Sequence, residues 1–460
     1  MEFFNIWDLF LVPLYILLAW VFASRISKKR REKHPHYRFY HWGLLYKIGG
    51  AIALCLIYLF YYGGGDTTGY FTSAMKLQNL LFVDPGAYFS ILANNLTPEN
   101  FSAFTDATGY PAYYRDPNSF TVVRFTSVLL LFTSDSFLQV SILTAIITYS
   151  GIWRLYLMFV EMYPGNDYLL ALAALFIPSV AFWGSGVLKD SYTMAAAGWL
   201  IFSFYKIYFQ RRRIILYTIA ILISVYVLIA IKAYIFFALV GGIFIWIGFH
   251  LLNKFKNILL RVMVLPIIAL MFWGLGQYII FNLGEYVGSY YTSMDALLQK
   301  AIITQDDLTR AYYGGNSFDL GELKPNLSSI LSKAPRATIA GLYRPFITEA
   351  NNPVMFLSGL ENTALLLLLI WVLFKVGIRR FIGIMFERPV VLFSFAFTIL
   401  FAFSVGLTTA NFGALVRYKI PLLPYYVGAL FMIYHIGKMK NEKTQAESDK
   451  EENKIDTPAV

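Results

Sequence analysis

Residues 214–250 read IILYTIAILISVYVLIAIKAYIFFALVGGIFIWIGFH, with Lys232 the one Lys, Arg, Asp or Glu among them. About 20 consecutive apolar residues are enough to cross the ~30 Å hydrocarbon core of a bilayer. This run is nearly twice that length and is split near its middle by a cation. It predicts two membrane spans, 214–231 and 233–251, joined by a tight turn at Ile231-Lys232-Ala233. Working outward, further runs predict spans at 5–23, 43–62, 136–160, 168–183, 187–207, 258–281, 354–374, 389–409 and 418–437. The expected fold class is an all-α membrane protein, a polytopic helical bundle of about 11 transmembrane helices. Two long loops, 63–135 and 282–353, join spans on the outer side.

Composition agrees. Of 460 residues, 58% are hydrophobic and 14% charged, whereas a soluble domain carries about 25% charged residues. One cysteine, Cys55, excludes an intrachain disulfide and any cysteine-based zinc site. The formal net charge of +11 first suggests nucleic acid, but its distribution decides otherwise. Glu2 and Asp8 precede the first apolar run and Lys28-Lys29-Arg30-Arg31 follow it, a pattern opposite to a cleavable signal. With the N-terminus outside, the inner loops 24–41, 161–167, 206–213, 254–261 and 375–388 total +15 (Arg154 counted at its helix end), against −3 and −1 for the outer loops. Cytoplasmic loops carry such an excess. The charge is therefore an orientation signal, and no nucleic-acid partner is expected. Thr121 to Thr133 is apolar but short and carries Arg124; as a span it would place Arg211-Arg212-Arg213 outside, so it is expected in the interface. Three regions follow: 1–42, an N-terminal helix and basic loop; 43–437, the transmembrane domain; and 438–460, a charged cytoplasmic tail expected to be disordered.

All five histidines fall on the inner side in this topology, so outer chemistry must use carboxylates, cations, tyrosine or a bound ion. Gly63-Gly64-Gly65-Asp66-Thr67-Thr68 begins where the second span ends. Its glycines permit a sharp turn and a close approach, and set Asp66 at the membrane surface, either facing a ligand or capping the next helix. Pro178-Ser179 through Lys189-Asp190-Ser191 forms an outer hairpin with adjacent charges close to hydrocarbon, where charges are costly and usually have a role. Lys189 and Asp190 either pair locally or serve a site. Lys232, Arg344 in Tyr343-Arg344-Pro345, and Arg417 with Tyr418 in Val416-Arg417-Tyr418-Lys419-Ile420-Pro421 are outer basic residues against the general trend. Singly each can snorkel; together they suggest a shared anion, most simply a lipid phosphate. Among the loop acids, Asp116 is the best second acid in the first loop, ahead of Asp84, Glu99, Asp106 and Glu349. Asp306-Asp307 is expected to start a short helix. No phosphate-binding glycine loop, zinc-protease or serine-hydrolase motif and no metal-spaced His/Cys set is present.

The order of these features resembles the GT-C superfamily of membrane glycosyltransferases, of the protein mannosyltransferase and aminoarabinose transferase type. The likeness lies in a span ending at Asp66, a long outer loop with Thr121 to Thr133 as interfacial helix, and Pro178-Ser179 leading to Asp190. Ile231-Lys232-Ala233 resembles the family's lysine-containing turn, and Arg417-Tyr418 with Pro421 its Arg-Tyr-x-x-Pro start of a late span. The family often has paired acids where this chain has Asp66-Thr67-Thr68, which leaves a divalent cation open and calls for no other cofactor. The resemblance implies transfer of a sugar from a polyprenyl-phosphate donor to a glycan, lipid or protein acceptor at the extracytoplasmic face. It implies Asp66 as general base, Asp190 and Asp116 as second acids, and Lys189, Lys232, Arg344, Arg417 and Tyr418 around the donor phosphate. It also implies a bacterial inner membrane, with the C-terminus cytoplasmic, and a part in cell-envelope polysaccharide biosynthesis. A polysaccharide polymerase or ligase would need the same outer residues. A lipid-linked-sugar flippase or other transporter would instead concentrate polar residues near the midplane.

Overall fold

The computed structural model describes residues 3–254, 294–308 and 326–455, with 274 and six positions between 317 and 324. Among these residues the protein is all-helical and has no strand. Seven described helices are long and apolar enough to cross a membrane. The chain forms two compact units, Met1–Phe237 and Ala238–Val460.

The first unit contains α1 (Asp8–Arg31), α2 (Tyr40–Leu56), α3 (Asp66–Val83), α4 (Pro85–Leu92), α5 (Pro98–Ser102), α6 (Pro117–Leu130) and α7 (Phe137–Met162). It continues with α8 (Asp167–Leu175), α9 (Pro178–Trp183), α10 (Lys189–Tyr208) and the first part of α11 (Ile214–Leu252). Glycines set its helix spacing. A Cβ at Gly151 of α7 would lie 2.0 Å from the Ala195 carbonyl of α10, and one at Gly198 would lie 2.1 Å from the Gly151 carbonyl. In a membrane, where lipid is as apolar as leucine, such close backbone contact is what holds helices together. Gly50 of α2 meets the Ala181 carbonyl of α9 in the same way. Lys47, one turn earlier and buried, donates its Nζ to the Gly184 carbonyl just beyond α9.

Several sequence expectations change here. The run 168–183 forms two short helices, α8 and α9, because Pro178 has no N–H to continue the first helix and begins the second. The expected break at Lys232 is a kink, where φ −147° and ψ 77° leave the helical region and separate two helical segments within Ile214–Leu252. No glycine or proline lies beside Lys232 to reverse the chain. α6 has 14 residues, about 21 Å at 1.5 Å per residue, too short to cross. The proposed span 258–281 lies outside the described residues apart from 274.

The second unit contains the rest of α11, then α12 (Met294–Leu308), α13 (Leu327–Tyr343), α14 (Pro353–Val376), α15 (Ile378–Glu387), α16 (Pro389–Thr408), α17 (Phe412–Tyr418) and α18 (Leu423–Ile455). Here α13 and α16 cross at Gly341 and Gly406, whose added Cβ atoms would meet Ala402 and Ala337 carbonyls at 2.1 and 1.9 Å. Asp306 and Asp307 lie in the last turn of α12 and do not start a helix. The tail expected to be disordered continues α18 to Ile455. Its sequence mixes Glu, Lys and Gln, which favour helix despite low hydrophobicity.

Candidate functional site

In the first unit, α2 ends in a π turn, Ile57–Tyr61, a local irregularity frequent at functional sites. Gly63, Gly64 and Gly65 follow with φ of +69°, +131° and +144°, the region that favours glycine. The Gly64 N–H donates to the Tyr58 carbonyl at 2.8 Å, closing the turn. Gly65 takes the N-cap position of α3, and its N–H donates to Thr68 Oγ1 at 3.0 Å. Asp66 is therefore the first residue of the helix and not its cap. It is half-buried.

One turn on, Gly69 leaves room for Tyr113, whose hydroxyl would be 2.6 Å from an added Cβ. The Tyr70 ring lies 4.9 Å from that of Tyr113, and its hydroxyl lies 3.5 Å from Ser119 Oγ. Ser119 Oγ in turn donates to the Asp116 carboxylate. Asp116 also accepts from the Asn118 and Ser119 N–H groups at 3.1 and 3.3 Å, making it the N-cap of α6. Burial alone would raise the Asp116 pKa. The Lys189 charge and these hydrogen bonds outweigh it and hold the carboxyl below its ordinary value. Lys189 Nζ lies 3.7 Å from Asp116 Oδ2. The next residue, Asp190, is fully buried and accepts from Lys232 Nζ at 2.5 Å.

Lys189 and Asp190 each reach a partner on a different element, and the contacts run from α3 through α6 and α10 to the kink of α11. Of the residues singled out in the sequence, Asp116 and Lys189 are brought together, and so are Asp190 and Lys232; Asp66 lies on α3, whose Tyr70 reaches Ser119 beside Asp116. What the sequence reading missed is the pairing. Lys232 and Lys189 were expected as cations facing a ligand, yet each has a carboxylate beside it.

The second unit holds Arg344, Arg417 and Tyr418. Arg344 Nε donates to both Glu349 carboxylate oxygens, at 3.0 and 3.1 Å, and its Nη2 also donates to Oε1. The guanidinium lies over the Phe318 and Phe412 rings, 4.6 and 5.1 Å from their centroids. Burial raises the Glu349 pKa, but hydrogen bonds from Arg344 and the Phe346 N–H more than offset it, and the carboxyl sits below its usual range. Arg417 is buried with its Cζ 5.8 Å from the Tyr418 centroid. Lys419, which the sequence reading passed over, is buried and donates to the Leu342 and Arg344 carbonyls at 3.2 and 3.1 Å and to Asn362 Oδ1. It spends its donors on the backbone that carries Arg344. Lys47 and Lys419 share a signal that the sequence did offer: a lysine embedded in or beside an apolar span is rarely incidental.

Among the described residues no group of three or more His, Cys, Asp or Glu side chains is placed to hold a metal ion. Among the described residues the protein is all-helical, with seven helices long and apolar enough to cross a membrane. Comparison with known protein families, characterised proteins and solved structures finds no match to this chain.

Proposed function

We propose that this protein is a membrane glycosyltransferase of GT-C-like architecture. It moves a sugar from a polyprenyl-phosphate donor to an acceptor at the extracytoplasmic face of a bacterial inner membrane. The eleven-span threading, with the N-terminus outside and the C-terminus cytoplasmic, belongs to this proposal. The observation that supports it is a set of contacts in the first unit: Asp66 opens α3 directly after the glycine turn, Tyr70 one turn on leads through Ser119 to Asp116, and Asp116 lies 3.7 Å from Lys189.

In this reading Asp66 takes the proton from the acceptor hydroxyl as that oxygen attacks the anomeric carbon and the bond to the donor phosphate breaks. Base catalysis of this kind contributes about 10²–10⁴-fold. Lys189, less tightly held at 3.7 Å from Asp116, turns toward the phosphate and stabilises the charge that builds there. Arg344, Arg417 and Tyr418 belong to the second unit and are that unit's own candidates for binding a phosphate. Asp190 and Lys232 act through position, holding the first turn of α10 against the kink of α11.

The test is sugar transfer from a polyprenyl-phosphate-linked donor by purified Asp66→Asn and Asp116→Asn variants. Loss of transfer in the first, with folding intact, and retention in the second are expected. Near-normal transfer by Asp66→Asn would remove Asp66 from the mechanism.

A further inference from the structure

Away from the candidate site, the first unit contains a cleft of about 1320 Å³. Three helices line it with stripes of equal length. From α7 the lining residues run from Glu161 through Leu157, Arg154 and Ser150 to Ile147. From α10 they run from Lys206 through Phe202 and Trp199 to Tyr192, and from Arg213, just before α11, through Leu216, Ile219 and Ile223 of that helix to Val227. These spacings of three and four place each set on one helix face. Each stripe covers 14 residue steps, about 21 Å of helix, roughly two-thirds of a bilayer's hydrocarbon thickness.

Every stripe begins with charge and ends apolar. The charged mouth also takes Lys29, Arg30, Lys33 and Arg212. Glu161 is the only carboxylate in the lining, and it is occupied by Lys206 Nζ at 2.5 Å and Gln210 Nε2 at 3.1 Å. Arg154 sits seven residues inward from Glu161, about 10 Å along α7. Its guanidinium is stacked 4.6 Å from the Trp199 centroid and 5.1 Å from that of Phe202. Leu216, Ile219 and Ile223 are more than half exposed toward this space. A soluble anion would use the mouth and leave the apolar walls bare. An apolar chain alone would use the walls and leave seven basic side chains facing one another across a single acid.

We propose that this cleft binds one anionic glycerophospholipid of the surrounding bilayer. Its phosphate sits at the basic mouth within reach of Arg154, and an acyl chain lies along the α11 stripe. Bilayers supply this amphiphile at the required depth, and its charge complements the mouth. The inference does not depend on the glycosyltransferase reading, because none of these residues belongs to the candidate site.

Native mass spectrometry of the full chain, exchanged into micelles with phosphatidylglycerol or phosphatidylcholine, tests it. One phosphatidylglycerol should be retained per chain, and phosphatidylcholine should not. Arg212→Gln with Arg213→Asn, which changes exposed residues and keeps a residue tolerant of the left-handed backbone at 213, should weaken retention on the order of tenfold. Ala220→Trp, which fills the wall without changing any charge, should abolish it. That variant separates a built cleft from general attraction of acidic lipid to basic loops. Equal retention of the two lipids, full retention by Ala220→Trp, or displacement of the retained lipid by equimolar polyprenyl phosphate would each overturn the proposal.

Discussion

Lys232 donates to Asp190 across 2.5 Å, and the two side chains are 7% and 0% exposed. Forty-two residues separate them in sequence, and they join the start of α10 to the kink of α11. Removing one partner of a buried pair leaves an uncompensated charge and costs about 3–5 kcal/mol, while replacing both with apolar residues is often neutral. Asp190→Ala should therefore lower the thermal unfolding midpoint in detergent markedly. Asp190→Leu combined with Lys232→Met should recover most of the loss. A double variant no better than the single would mean that the site needs these charges for more than mutual compensation.

Two adjacent glycines of α2 make opposite predictions. A Cβ at Gly50 would fall 2.1 Å from the Ala181 carbonyl, whereas one at Gly49 meets nothing within 4 Å. Gly50→Ala must push α2 away from α9, and overpacking of this kind costs about 1–3 kcal/mol. Gly49→Ala removes only backbone freedom and should stabilise by up to about 1 kcal/mol. Denaturation of the two variants under one set of conditions checks the sign of each. Equal effects would mean that α2 and α9 are not in close contact.

These examples mark what could be read in advance. Hydropathy sets the long helices because every unsatisfied backbone group in lipid is costly, and only a helix satisfies them within one segment. The edges of α7, α14 and α16 accordingly fall within a few residues of expectation, whereas α1 runs on to Arg31, eight residues past the expected end of its span. The break at Lys232 was legible, because a cation between two apolar runs marks where they part; its buried partner Asp190, forty-two residues away in sequence, was not. The glycine turn before Asp66 was legible because three consecutive glycines permit little else. The pairing of Arg344 and Lys189 was legible in part. Glu349 lies five residues from Arg344, within local reach, whereas Asp116 and Lys189 meet only through the packing of α6 and α10.

Asp116 should give the protein an acid-sensitive step. Its folded carboxyl titrates below the ordinary aspartate value, because Lys189 and the capping N–H groups offset the effect of burial. The unfolded chain protonates first as pH falls, near ~4. Asp116 therefore contributes stability above that value and loses it as pH drops through the lower folded value. The side chain is 52% exposed, so the ion-pair share is small, in the range of about 0–1 kcal/mol. Asp116→Asn keeps a good cap and removes the titration. Unfolding midpoints of the two proteins should converge below about pH 4. Parallel curves throughout would show that Asp116 is not the group responsible.

Glu349 offers the sharpest check on the second unit's cations. If Arg344 binds the donor phosphate, the carboxylate already bonded to it competes with that phosphate. Glu349→Gln keeps the volume and one acceptor but removes the charge. Arg344 stays in place through Phe318, Phe412 and the Lys419 bond to its carbonyl. Charge-assisted hydrogen bonds are worth about 1.5–3 kcal/mol, so freeing part of this one should raise affinity for a polyprenyl phosphate several-fold. Arg344→Lys should lower it, since an ammonium cannot offer the planar fork that a phosphate accepts. Both affinities can be measured by titration of the purified protein with the lipid in detergent. If neither change moves the affinity, Arg344 is a structural partner of Glu349, and the phosphate must be held by other residues.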